Sequence, residues 1–80
     1  MKYSVAYTKK AEKIIEKLDT QIKNRIKKYI DDNLVNCENP RLRGRALTSN
    51  LSGNWRYRVG NYRIIAKIEG DKILITVIDI

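Results

Sequence analysis

The residues of this chain best suited to chemistry are three arginines at positions 56, 58 and 63. Arg56 and Arg58 are two residues apart, and Arg63 follows a Gly60-Asn61 pair. A guanidinium group carries five N–H donors in a planar fork that matches the oxygens of phosphate. Three such groups on one surface bind an anion, of which phosphate is the simplest. The spacing therefore predicts a phosphate-binding site.

The segment that carries these arginines predicts a β-hairpin. Apolar residues alternate with arginine before Gly60-Asn61, and alternation resumes after it. A two-residue turn fixes the register. The expected pairs are Val59 with Tyr62, Arg58 with Arg63, Tyr57 with Ile64, and Arg56 with Ile65. Side chains alternate across a strand, so all three arginines emerge on one face. Like charges opposite each other are destabilising, so we expect an anion between Arg58 and Arg63.

The positive charge of the chain is concentrated around the same segment. The net charge is +8, and positions 36–63 contain six arginines but only one acidic residue. This distribution favours a nucleic acid or an acidic protein as partner. Arg41, Arg43 and Arg45 lie in a predicted loop, Asn36 to Gly53, which we expect Leu42, Leu47 and Leu51 to anchor. These arginines either contact backbone phosphate or form a solvated basic loop.

The composition excludes several classes of site. The chain has no histidine and a single cysteine, Cys37, which argues against a zinc site and against a cysteine nucleophile. We expect no metal and no small-molecule cofactor. One unpaired cysteine favours a reducing, cytoplasmic setting. No apolar run reaches membrane-spanning length, so no membrane association is expected.

The rest of the chain predicts the elements that position the arginines. Lys2 to Tyr7 reads as a short strand. Thr8 is a candidate N-cap for one helix, and Asp19 or Thr20 for a second. Their apolar stripes comprise Ala11, Ile14, Ile15 and Leu18, then Ile22, Ile26, Tyr29, Ile30 and Leu34. The short connection predicts an antiparallel helical hairpin that covers a sheet.

A second turn, Gly70-Asp71, extends the hairpin into a meander. Simple alternation places Ile73, Ile75 and Val77 under the helices and leaves Ile65, Leu74 and Ile78 as an apolar patch beside the arginines. The predicted fold is α+β, a single domain over residues 1–80. It has an N-terminal strand, the helical hairpin and a three-stranded antiparallel meander, with both helices packed on one face of the sheet.

This order of elements resembles the RelE/ParE superfamily of toxins from bacterial and archaeal toxin–antitoxin pairs. The resemblance spans nearly the whole chain. Its most specific segments are Leu42-Arg43-Gly44, Tyr62-Arg63-Ile64 and Val77-Ile78-Asp79-Ile80.

The RelE branch, which the chain resembles better, implies a ribosome-dependent endoribonuclease that cuts messenger RNA. The resemblance implies that Arg63 holds the scissile phosphate, while Arg56 and Arg58 contact phosphate and promote attack by the ribose 2′-hydroxyl. Arginine is a poor proton acceptor, which leaves the general base unassigned. The implied partners are the ribosome, messenger RNA and a cognate antitoxin.

The end of the sequence differs from the family pattern. The pattern continues with a basic segment, commonly Gly-His-Arg-Arg, and then a tyrosine, whereas this sequence ends at Ile80. We therefore expect weak cleavage or none.

Two other functions fit the same resemblance. One is a ParE-type inhibitor of DNA gyrase. The other is a non-catalytic domain that binds the antitoxin and helps to repress their operon. An acidic amphipathic antitoxin helix would cover Ile65, Leu74 and Ile78 and neutralise the arginines.

Overall fold

Two helices pack against one face of a five-stranded mixed sheet in the computed structural model, which describes residues 2–47 and 54–79. The strands are β1 Ser4–Tyr7, β2 Arg45–Ala46, β3 Asn54–Val59, β4 Tyr62–Glu69 and β5 Lys72–Asp79; the helices are α1 Lys9–Lys17 and α2 Thr20–Asn33, and a 3₁₀ turn spans Pro40–Leu42. The strand order is β1-β5-β4-β3-β2, with β1 parallel to β5. The predicted α+β class and the helix-covered sheet are confirmed.

Both helices begin at the residues that the sequence indicates. The Thr8 hydroxyl accepts a hydrogen bond from the Ala11 amide at 3.1 Å, and the Asp19 carboxylate accepts one from the Gln21 amide at 3.2 Å. Each bond satisfies an amide that has no partner within the first helical turn. Only Leu18 and Asp19 separate the helices. No helix in the described part of the chain is long and apolar enough to cross a membrane.

The core lies between the helices and the covered face of the sheet. Fully buried side chains come from both predicted stripes and from alternate positions of the meander: Ala11, Ile26, Ile30, Leu34, Tyr57, Ile64, Ala66, Ile73 and Ile75. Burial of one such aliphatic side chain is worth about 1.5–3 kcal/mol, which makes this face the main stabilising feature of the domain.

The hairpin of β3 and β4 has the predicted register. Val59 lies opposite Tyr62, Arg58 opposite Arg63, and Arg56 opposite Ile65. Gly60 has a φ of 59°, the left-handed conformation that a tight hairpin turn requires. The register places Arg56, Arg58 and Arg63 on the uncovered face of the sheet.

A β-bulge in the last strand changes which of its residues face the core. Ala66 pairs with Ile75 but Ile65 pairs with Val77, so Thr76 is an extra residue in β5. The Thr76 hydroxyl donates to the Ile65 carbonyl at 3.1 Å.

Beyond the bulge the alternation of β5 is reversed. Ile78 is 2% exposed and belongs to the core, so its predicted place in the open apolar patch is wrong. Simple alternation places Val77 under the helices, but it lies on the uncovered face opposite Ile65, so that prediction is also wrong.

Candidate anion-binding site

The segment 39–44 is held against β3 by two aromatic side chains. The Tyr57 hydroxyl donates to the Pro40 carbonyl at 2.7 Å, and Trp55 Nε1 donates to the Arg43 carbonyl at 2.6 Å. The expected anchor Leu42 is 80% exposed, so that part of the prediction is wrong. The groups that hold the segment are the hydroxyl of Tyr57 and the indole N–H of Trp55. Leu51, the third expected anchor, lies outside the described residues.

Burial keeps the Tyr57 hydroxyl protonated. It raises the pKa of Tyr57 far above the ordinary 10.0; nearby Cys37 and Tyr29 act in the same direction and Arg41 opposes them. A protonated hydroxyl can donate throughout the neutral pH range, so the bond to the Pro40 carbonyl does not depend on pH there.

Gly44 is required where this segment meets β3. Its φ is 74°, and a Cβ atom there would overlap the Arg56 carbonyl oxygen and lie 2.9 Å from Trp55 Nε1. Only glycine permits such a close approach of two backbones. The contact leads directly into β2, where Arg45 pairs with Arg56.

Three arginines consequently line one open cleft at the edge of the sheet. This arginine cleft has a volume of about 420 Å³ and is lined by Tyr29, Gly44, Arg45, Arg56 and Arg58. Every charged side chain that the structure places in this lining is an arginine. Arg45 and Arg58 are exposed and Arg56 is half-buried, so their guanidinium groups can be reached from solvent. The cleft is suited to an anion with several oxygens.

Tyr29 is a cleft residue that the sequence did not reveal as one. Its ring lies 6.4 Å from that of Tyr57 at 53°, as expected of a packing residue, yet it also lines the cleft. Burial raises the pKa of Tyr29 and Arg43 partly offsets this, so the hydroxyl remains a neutral donor at neutral pH. The residue type could have indicated this position, because a tyrosine on an apolar stripe usually places its hydroxyl at a polar boundary.

Arg63 lies on the uncovered face but does not line the arginine cleft. Its Nε donates to Asp79 Oδ1 at 2.9 Å, and the two side chains are 38% and 48% exposed. The sequence predicts an anion between Arg58 and Arg63, but it does not predict the Asp79 carboxylate that contacts Arg63.

A second concavity runs over the uncovered face. This sheet groove has a volume of about 320 Å³, and its lining comprises Leu47, Asn54, Arg56, Arg63, Ile65, Thr76, Val77 and Asp79. Of the three residues predicted to bind an antitoxin, only Ile65 lines it. Leu74 is on the same face outside the lining, and Ile78 is in the core.

The remaining predicted phosphate ligands lie beside the cleft. Arg41 and Arg43 are exposed on the segment 39–44 and do not line the cleft. Among residues 2–47 and 54–79, no three histidine, cysteine, aspartate or glutamate side chains are grouped so as to hold a metal ion.

Comparison with known proteins decides the family. The family model described as the ParE toxin of type II toxin–antitoxin systems, parDE, matches residues 5–80. The chain belongs to this family. It is a toxin of a type II toxin–antitoxin system, and the predicted RelE/ParE resemblance is confirmed. No curated protein matches the toxin in sequence.

Solved structures share the fold of the toxin. The toxin–antitoxin complex RelBE2 from Mycobacterium tuberculosis matches at a TM-score of 0.88 and 25% identity, over 99% of this chain and 98% of that one. The RelB–RelE complex from Methanococcus jannaschii matches at 0.70 and 26%, over 91% and 86%. The intact RelBE complex from E. coli matches at 0.73 and 12%, over 96% and 94%, which concerns the fold alone.

Proposed function

We propose that the toxin binds messenger RNA in the arginine cleft and cuts it slowly on translating ribosomes. The observation that carries this proposal is the convergence of Arg45, Arg56 and Arg58 on one cleft, in whose described lining every charged side chain is an arginine. The cleft volume falls within the roughly 300–1,000 Å³ typical of ligand sites. A chain of phosphates is the ligand that best matches several guanidinium groups in a row.

The arginines support phosphate chemistry by stabilising charge. In the proposed reaction the ribose 2′-oxygen forms a bond to phosphorus and the bond from phosphorus to the 5′-oxygen breaks. The 2′-hydroxyl gives its proton to water and the departing 5′-oxygen takes one from water, which leaves a cyclic phosphate and a 5′-hydroxyl. Negative charge grows on the phosphoryl oxygens during this step, where fixed cationic donors stabilise it most. Arg56 and Arg58 are the side chains we assign to this role, with Arg63 beside them on the same face.

Slow cleavage follows from the proton transfers that the reaction requires. The 2′-hydroxyl must lose a proton, but arginine remains charged at neutral pH and Tyr29 holds its own proton because burial raises its pKa. The cleft side chains that the structure describes therefore stabilise charge and donate hydrogen bonds without accepting the proton. General base catalysis is worth typically 10²–10⁴-fold, which sets the size of the expected deficit.

A second candidate function is inhibition of DNA gyrase. It is favoured by the family match, which is to ParE toxins. The same cleft would then meet an acidic protein surface instead of RNA.

We also propose a cognate antitoxin as partner, since the structures of RelBE2 and of RelB–RelE are complexes with antitoxins. The sheet groove suits an acidic amphipathic helix, because Ile65 and Val77 provide apolar surface in the same lining as Arg56 and Arg63. Antitoxin binding requires no catalytic group, so it is also compatible with a toxin that helps the antitoxin to repress their operon.

Primer extension on translating ribosomes tests the proposed function directly. We expect faint cleavage by the toxin, further loss in Arg58→Gln, and no loss in Lys13→Gln. The control removes one exposed charge from α1, which packs against β1 and β5 on the other side of the domain. Inhibition of gyrase supercoiling without any message cleavage would favour the second function.

A further inference from the structure

Asp79 faces Arg63 only because of the β-bulge in β5. Simple alternation from the Gly70-Asp71 turn pairs Arg63 with Ile78. The extra residue Thr76 advances the strand by one, so Arg63 pairs with Asp79 instead. The outcome is an ion pair of 2.9 Å on the uncovered face.

This carboxylate lies where the proposed RNA would extend beyond the cleft. Asp79, Arg63 and Arg56 all line the sheet groove, and Arg56 also lines the arginine cleft. A phosphate that reaches from Arg56 towards Arg63 must therefore approach a negative charge. It must also compete with that charge for the Arg63 guanidinium.

We propose that Asp79 attenuates the toxin by competing with RNA phosphate for Arg63. The inference rests on the proposed RNA binding and concerns a residue to which that proposal gives no role. Both side chains are more than a third exposed, so the pair is weak enough for phosphate to exchange with it. Asp79 lowers the affinity of the groove for RNA and leaves the arginine cleft unchanged.

The test is RNA affinity in a set of matched variants. Fluorescence anisotropy with a short single-stranded RNA, 2′-O-methylated to prevent cleavage, compares wild type, Asp79→Asn, Arg63→Gln and the double variant. Asp71→Asn is the control, since it changes the charge equally at the β4–β5 turn, the opposite end of β4 from Arg63. Asp79→Ser removes the carboxylate by a second route, and circular dichroism checks folding.

We expect Asp79→Asn and Asp79→Ser to bind RNA roughly 1.5- to 5-fold more tightly than wild type, the range of an exposed ion pair. The slope of log affinity against log salt should steepen by about 0.7, as one more phosphate contact forms. Arg63→Gln should have little effect in wild type and should abolish the gain in the Asp79→Asn background.

Three results would overturn the inference, as would the absence of any change in Asp79→Asn. They are an equal gain in Asp71→Asn, a gain that persists without Arg63, and weaker binding by Asp79→Asn. Arg58→Gln separates this failure from that of the proposed function. If Arg58→Gln weakens binding while Asp79→Asn changes nothing, only the inference fails. If none of the proteins binds RNA, the proposed function fails and the inference fails with it.

Discussion

Replacing Gly44 by alanine should damage the arginine cleft more than any other glycine substitution at a described turn. The new Cβ would overlap the Arg56 carbonyl oxygen and crowd Trp55 Nε1 and Tyr57 Cδ1, both at 2.9 Å. Backbone atoms cannot yield as a flexible side chain does. The segment 39–44 must therefore move away from β3.

The size of the effect can be worked out from two contributions. A left-handed φ costs alanine roughly 1–2 kcal/mol. Displacement of the segment weakens the hydrogen bonds from Trp55 and Tyr57, each worth about 0.5–1.5 kcal/mol net. Together these predict a loss of about 2–5 kcal/mol in the free energy of unfolding, a large part of the roughly 5–15 kcal/mol that typical domains have.

Gly70→Ala provides a matched control for Gly44→Ala. Its φ is also positive, at 57°, but no atom lies within 4 Å of the added Cβ. It should lose only the conformational contribution, roughly 1–2 kcal/mol, and keep wild-type RNA affinity. Urea denaturation measures the stability of both variants, and anisotropy under native conditions measures RNA binding. Equal losses of stability in both variants, or unchanged RNA binding in folded Gly44→Ala, would refute the proposed fit between Gly44 and β3.

Two further predictions concern the tyrosines near the cleft. Tyr57→Phe leaves the Pro40 carbonyl without its donor and should cost about 1–3 kcal/mol at neutral pH, measured by urea denaturation. The pKa of Tyr57 is raised in the folded state, so its contribution is complete below the ordinary value of 10.0 and is lost at higher pH. Wild type should therefore lose stability more steeply than Tyr57→Phe above pH 10; parallel curves would contradict this. Tyr29→Phe keeps the ring contact and removes the donor, so RNA affinity should fall roughly 2- to 10-fold with stability unchanged, and unchanged affinity would exclude a hydroxyl contact to RNA.

Local rules predicted much of the fold from the sequence. The caps at Thr8 and Asp19 and the register set by Gly60-Asn61 depend on residues close together in the chain, and each is confirmed. The parallel pairing of β1 with β5 joins the two ends of the chain, and no local pattern reports such a contact.

The sequence pattern did not predict the bulge at Thr76, for a similar reason. The Thr76 carbonyl accepts a hydrogen bond from the Thr8 hydroxyl, and the Thr76 hydroxyl donates one to the Ile65 carbonyl. Thr8 is 68 residues away from Thr76, so alternation within the hairpin could not reveal the extra residue. One inserted residue exchanged Ile78 and Val77 between faces and placed Asp79 against Arg63.

The candidate site was predictable in composition but not in arrangement. The arginine-rich segment indicated an anion, and the strand register brought Arg56 and Arg58 to one face. Arg45 joined them through β2, which formed inside the predicted loop. That strand depends on Gly44 and on hydrogen bonds from core aromatics, which are tertiary contacts.

The salt dependence of RNA binding tests the central claim most directly. The slope of log affinity against log salt is negative, and each phosphate contact with single-stranded RNA contributes roughly 0.7 to its magnitude. Simultaneous replacement of Arg45, Arg56 and Arg58 by glutamine should therefore reduce this magnitude by about 2. A control that replaces the exposed Lys9, Lys10 and Lys13 of α1 by glutamine removes the same charge and should leave the slope nearly unchanged. Equal changes in the two proteins would mean that RNA responds only to net charge, and would contradict binding in the arginine cleft.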